Sequence, residues 1–174
     1  DKRSKRVVSN DPAQILLMLD HLAADLGGGG AGCEESLYPS PLRDEIEKVN
    51  AICFPGINNG VYCCWFGGEP GAPAFDEGFG LVQSALRSLE ERLAANKRAG
   101  GKGPYLLGTA KPTLADVRAF PHLFRFDGIY HALMLRGTGL RIYGEATELP
   151  LLAEYVSTHL FGHPALRTTC DLQT

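Results

Sequence analysis

FDEGFGLVQSALRSLEERL, residues 75–93, decides the fold class. Its apolar residues Phe75, Phe79, Val82, Leu86, Leu89 and Leu93 step by four, three, four, three and four, which puts all six on one stripe of a helix. Glu77, Arg87, Glu90, Glu91 and Arg92 fall elsewhere, so one long amphipathic helix is expected. It ends at AANKRAGGKGP, where Lys97 and Arg98 favour the C-terminal dipole and Gly100, Gly101, Gly103 and Pro104 stop the helix. The stripe covers fewer than three heptads, too short to imply a coiled coil.

Outward from that helix, the same period recurs. Ser9 or Asn10 is expected to cap a helix carrying Ile15, Leu16, Leu19, Leu22 and Leu26, with Asp11 and Pro12 in its first turn. GGGGAG at 27–32 reads as a flexible linker; a phosphate loop would need a following Lys-Ser or Lys-Thr and a preceding strand. A helix is expected from about Pro41 to Phe66, kinked by Pro55 and Gly56. Thr113 and Asp116, three apart, form an acidic capping box ahead of a largely buried helix through Val117, Phe120, Leu123, Phe124 and Ile129, interrupted near Pro121. A last helix runs from about Glu148 to Phe161. Nowhere does strict alternation reach strand length. The expected class is all-α, a bundle of five or six helices, with residues 1–8 as a basic arm, 9–161 as the helical domain and 162–174 as a tail.

Composition excludes several function classes. The 174 residues are 44% hydrophobic and 21% charged, with a formal net charge of −3. No electrostatic case for nucleic acid exists. No apolar run reaches the 18 or so residues of a membrane span, so a soluble chain is expected. The basic arm DKRSKR reads as a solvated tail. The first residue is Asp1 rather than Met, so a segment upstream is expected, whether a further domain or a removed targeting peptide. Five cysteines, Cys33, Cys53, Cys63, Cys64 and Cys170, form no CxxC pair. They are expected as reduced thiols in or near the core of a protein in a reducing compartment, with no metal site. The histidines are scattered, and His122, His131, His159 and His163 have no nucleophile at a telling spacing.

Two segments carry a family resemblance: INNGVYCCWF at 57–66, preceded by LYPSPLRDEIEKVNAIC, and PYLLGTAKPTLADVRAFPHLFRFDGIYHALM at 104–134. Asn58-Asn59-Gly60-Val61-Tyr62, together with Arg125-Phe126-Asp127 and Tyr130, is similar to the C-terminal helical domain of the Xi-class glutathione transferases, the glutathionyl-hydroquinone reductases. VVSNDPAQILLML and ELPLLAEYVSTHLF match that domain's boundaries more loosely. The resemblance implies a partner thioredoxin-like domain whose cysteine takes glutathione from a glutathionyl-hydroquinone, with a second glutathione resolving the mixed disulfide. It also implies that the helical domain walls the aromatic-substrate pocket.

By resemblance, Tyr62, Trp65, Arg125 and Tyr130 belong to that pocket. A core tyrosine is the competing reading for each phenol, and a helix-end role for Arg125 and Asp127. Trp65 stands where the family usually has a small residue and is expected to fill the pocket. Asp11 and Pro12 stand where the family has a Glu-Ser pair closing the glutathione site, and Pro12 has no donor to offer. No Cys-Pro pair occurs in the 174 residues. The expectation is therefore a non-catalytic helical module in a larger assembly, with protein partners or a homodimer and no cofactor, in an organelle such as a chloroplast or mitochondrion. The alternative is the helical domain of a glutathionyl-hydroquinone reductase, which would use glutathione through its thioredoxin-like domain.

Overall fold

A computed structural model of the chain describes residues 2–25, 36–145 and 147–170. The glycine run 27–32, Leu26 and Cys33 lie outside the described residues. All regular structure among them is helical, and they fall into two compact units, Asp1–Asp44 and Glu45–Thr174. The division falls inside the stretch expected as one helical domain.

The first unit contains α1 (Pro12–Asp25). Its cap is Asp11 rather than Ser9 or Asn10: the Ala13 N–H donates to Asp11 Oδ1 at 2.9 Å, while the Asp11 N–H donates to Ser9 Oγ at 3.1 Å. The expected apolar stripe is present but not buried, since Ile15, Leu19 and Leu22 are all exposed. Arg43 stacks over the Tyr38 ring at 5.2 Å.

The second unit carries the core. The expected helix 41–66 is divided into four consecutive pieces: a 3-10 turn Ser40–Leu42 in the first unit, α2 (Arg43–Cys53), which begins there, a π-helical segment Phe54–Asn59 and α3 (Gly60–Gly67). Pro55 is the cause of the change, since it has no N–H for the α-helical bond and its ring crowds the preceding carbonyl. A wider π turn absorbs the mismatch without ending the helix. Gly56, in that turn, faces α4 (Pro73–Arg98); a Cβ placed there would stand 2.3 Å from Ala85 Cβ. The α4 stripe is buried at Phe75, Val82, Leu86, Leu89 and Leu93. Gly100, at φ +66°, turns the chain out of the helix.

Next come α5 (Leu114–Phe124), with Pro121 inside it, and a second π segment, Phe126–Met134. Ile129, expected in the core, is exposed because it lies on the outer side of that segment. After an irregular stretch, α6 (Pro150–Glu154) passes into a third π segment, Tyr155–Leu160. Glu90 of α4 caps α6: its two carboxylate oxygens accept the Leu151 and Leu152 N–H groups at 3.0 and 2.7 Å. The expected tail holds one further helical turn, α7 (Pro164–Arg167). Among the described residues no helix is long and apolar enough to cross a membrane.

The loop–helix junction before α5 is built on Asp116, which is fully buried. The Thr113 N–H and Oγ1–H both donate to Oδ2, at 2.7 and 2.9 Å. Oδ1 accepts the Leu106 N–H at 3.0 Å and the Tyr155 hydroxyl at 2.6 Å. A capping box is thus present, and its acid also ties the 105–108 loop to the third π segment. Four donors satisfy a charge that burial would otherwise penalise.

Candidate functional site

The α3 helix places Tyr62 and Trp65 one turn apart, as a spacing of three requires. Both are about half exposed, and Phe66 beside them is 81% exposed. The second π segment packs against α3 and shows Ile129 and Leu133. These five side chains make an apolar, aromatic-rich face on two adjoining helices. Trp65 does more than sit on that face, since it lines a cavity of about 270 Å³ with Cys64, Phe75, Leu133, Met134 and Arg136. A larger cavity of about 590 Å³ lies elsewhere, between α4 and the 138–149 stretch, and none of Tyr62, Trp65, Arg125 and Tyr130 lines it.

Tyr130 differs from Tyr62. Its ring is 4% exposed and packs edge-on against Phe126 at 6.2 Å. Its hydroxyl is in a part-buried position, 3.0 Å from His122 Nδ1 and 3.5 Å from Arg125 Nη2. Arg125 is exposed, yet it is anchored, because its Nε donates to the Pro121 carbonyl at 2.7 Å and its guanidinium lies 5.9 Å from the Tyr130 ring centre. Burial is the main influence raising the Tyr130 pKa, with Arg125 opposing it and the Tyr62 phenol adding to it. Burial first, then Arg125, holds the His122 imidazole below its usual pKa, so the ring is neutral near pH 7.

Arg125 and Tyr130 are therefore brought together, and Tyr62, with Trp65 one turn along, lies on α3, the helix packed against the segment that carries Tyr130. His122 is the member that the sequence did not suggest. It lies eight residues from Tyr130, across the break at Arg125 and a change of helix type, so no simple spacing connects them. Asp127 belongs to the fold instead: its oxygens accept the Ile142 and Tyr143 N–H groups at 2.8 and 3.0 Å. Of the thiols, Cys53 and Cys64 are buried as expected, but Cys63 is exposed, pointing away from its neighbour as adjacent helical residues must. Among the described residues no cluster of His, Cys, Asp or Glu could hold a metal ion.

Chemically, the face offers aromatic surface and one uncommitted phenol, and the segment packed against α3 holds a second, buried phenol between two partners, one of them a cation. The face suits a flat aromatic ligand with a polar oxygen.

Comparison with known proteins agrees with the helical fold. Residues 72–157 match the family model described as "Glutathione S-transferase, C-terminal domain". The glutathionyl-hydroquinone reductase PcpF of Sphingobium chlorophenolicum is 34% identical over 131 residues, which cover 75% of this chain and 37% of PcpF. The glutathione-bound structure of YqjG, a glutathione transferase homolog from Escherichia coli K-12, superposes with a TM-score of 0.77 at 29% identity, covering 98% of this chain and 49% of that one. The Xi glutathione-S-transferase from Phanerochaete chrysosporium gives a TM-score of 0.74 at 27% identity, covering 98% and 50%. The chain spans between 35% and 51% of the length of the curated relatives it matches. By its helical architecture and these matches, the chain carries the C-terminal helical domain of the glutathione S-transferase family, of the Xi-class kind.

Proposed function

We propose that this chain is the substrate-side helical half of a glutathionyl-hydroquinone reductase, the second of the two functions expected from sequence. The observation that carries it is the packing of α3, which presents Tyr62 and Trp65, against the segment that holds Tyr130 beside the Arg125 guanidinium. Relatives named as glutathionyl-hydroquinone reductases across 75% of the chain support it over a non-catalytic subunit.

In this reading a cysteine thiolate of a thioredoxin-like domain attacks the sulfur of the glutathionyl-hydroquinone. The sulfur–carbon bond breaks, a mixed disulfide forms, and the ring carbon takes up a proton to leave the hydroquinone. A second glutathione reduces the mixed disulfide, so two glutathione units leave as one disulfide. The helical half orients the ring. Trp65 and Tyr62 supply aromatic surface, and the phenols and Arg125 meet the ring oxygens, where the electron density of the leaving carbon is felt.

The test is turnover of a glutathionyl-hydroquinone by the full natural protein, with hydroquinone and glutathione disulfide formed in equal amounts. Tyr62→Phe and Tyr130→Phe are each expected to lower kcat/KM by about 10- to 100-fold, the effect of losing one or two hydrogen bonds in the transition state. A full natural protein with no turnover would sink the reading.

A further inference from the structure

We propose that His122 fixes the direction of the Tyr130 hydroxyl, so that this wall accepts a hydrogen bond from a hydroxyl-bearing aromatic ligand and disfavours one presenting an ether or carbonyl oxygen. The inference rests on the glutathionyl-hydroquinone reading and adds a positioning residue and a basis for selectivity to it.

The Tyr130 hydroxyl has a single proton and two neighbouring nitrogens. A guanidinium has only donors, so towards Arg125, 3.5 Å away, the Tyr130 oxygen is an acceptor. The hydroxyl has one proton to give, and His122 Nδ1 stands 3.0 Å away. The imidazole is neutral near pH 7, because burial and the Arg125 charge both disfavour its cation, so one of its nitrogens is bare. With Nδ1 bare, one chain of donation runs from Arg125 through the Tyr130 hydroxyl to His122. With a proton on Nδ1, two donors would converge on the phenol oxygen and its own proton would be left without either partner. Arg125 is itself held to the carbonyl of Pro121, the residue before His122, so the arrangement is fixed within one turn.

The Tyr130 oxygen then has lone-pair density left for a ligand and no proton. Tyr62 is the complement: half exposed, with a hydroxyl that bonds to no other described residue, and near enough that its charge would be felt at Tyr130. A ligand hydroxyl at this wall can donate to Tyr130 and accept from Tyr62. A quinone carbonyl or an aryl ether can use only Tyr62. The wall thus favours the reduced, hydroxyl-bearing ring.

The experiment compares kcat/KM of the full natural protein for a glutathionyl-hydroquinone and for its mono-methyl ether at each ring oxygen. The unmodified protein is expected to prefer the free hydroxyl by about tenfold or more at one position. His122→Phe frees the Tyr130 proton and is expected to lower that preference by about tenfold, whereas His122→Asn, whose amide oxygen can stand near the Nδ1 position, keeps it. Nitrogen resonances of labelled histidine are expected to show His122 with a bare Nδ1 and a protonated Nε2. A preference unchanged in an active His122→Phe protein, or a protonated Nδ1, overturns the proposal. If His122→Phe does not fold, the resonances of the unmodified protein decide alone. If the unmodified protein turns over no glutathionyl-hydroquinone, the functional reading falls, while the resonances still decide the hydroxyl's direction.

Discussion

Asp116 is a charge with no access to water, and its four donors come from Leu106, Thr113 and Tyr155. Asp116→Ala takes the acceptor from all four donors in the interior, so urea unfolding is expected to show a loss of about 3–5 kcal/mol. Tyr155→Phe removes one donor while leaving the others, and about 1–2 kcal/mol is expected. Cys53 gives a pH test. Burial first, and the Asp116 charge second, push its thiol up to about 12. In the unfolded chain a thiol ionises near pH ~8.5, so between the two values the unfolded state has lost a proton that the native state keeps. Stability from this group is complete below about pH 8.5 and falls by about 1.4 kcal/mol per pH unit above it. Unfolding curves from pH 8 to 11 are expected to flatten by that slope in Cys53→Ala. At this scale the sequence was partly legible. Thr113 and Asp116 declare their box by spacing, but Tyr155 lies 39 residues from Asp116, and the His122–Tyr130 contact spans eight residues and two helix types. Those pairs are products of packing, which no local pattern encodes.

Among the elements, α4 was legible because its stripe persists over more than five turns; the π segments were not. An i, i+3, i+4 apolar pattern looks the same whether a rod is wholly α-helical or slips register at Pro55, and only the packed neighbours reveal the slip. The contact between α3 and α4 depends on glycine. A Cβ on Gly78 would stand 2.7 Å from Cys63 Cβ and 3.0 Å from the Cys64 backbone nitrogen. Gly80, two residues on in the same helix, has nothing within 4 Å. The two substitutions should therefore differ in sign. Gly78→Ala is expected to destabilise by about 1–3 kcal/mol, because the backbones must separate. Gly80→Ala is expected to stabilise by about 0.5–1 kcal/mol through helix propensity alone. Thermal unfolding of both variants checks the contrast; destabilisation of equal size in each would mean that some effect other than close approach governs the pair.

For the whole molecule, the helical class follows from the recurring 3.6-residue period, yet the sequence gives no rule for seating the irregular stretch from Leu135 to Leu149. Among its described residues the buried apolar anchors are Leu135, Ile142 and Leu149, and the half-buried Leu140 stands among mostly polar and glycine neighbours. The connecting agent is Asp127, read from sequence as a pocket or helix-end residue, whose carboxylate takes the backbone N–H groups of Ile142 and Tyr143. Two further ties, Arg87 to Glu148 at 3.5 Å and Arg136 to Glu69 at 2.7 Å, are exposed on both sides and contribute little. The seating of the stretch therefore rests on one carboxylate and three apolar side chains. Asp127→Ala removes a charge-assisted acceptor from two N–H groups, about 2–4 kcal/mol of local stability, while the helices that build the core keep their own contacts. Opening of the stretch should then become far more frequent than global unfolding. Limited proteolysis is expected to cut Asp127→Ala between residues 136 and 148 at least tenfold faster than the unmodified protein, at an unfolding midpoint that moves much less. If cutting accelerates equally across all helices, Asp127 is holding the entire fold and the stretch is not a separate unit of stability.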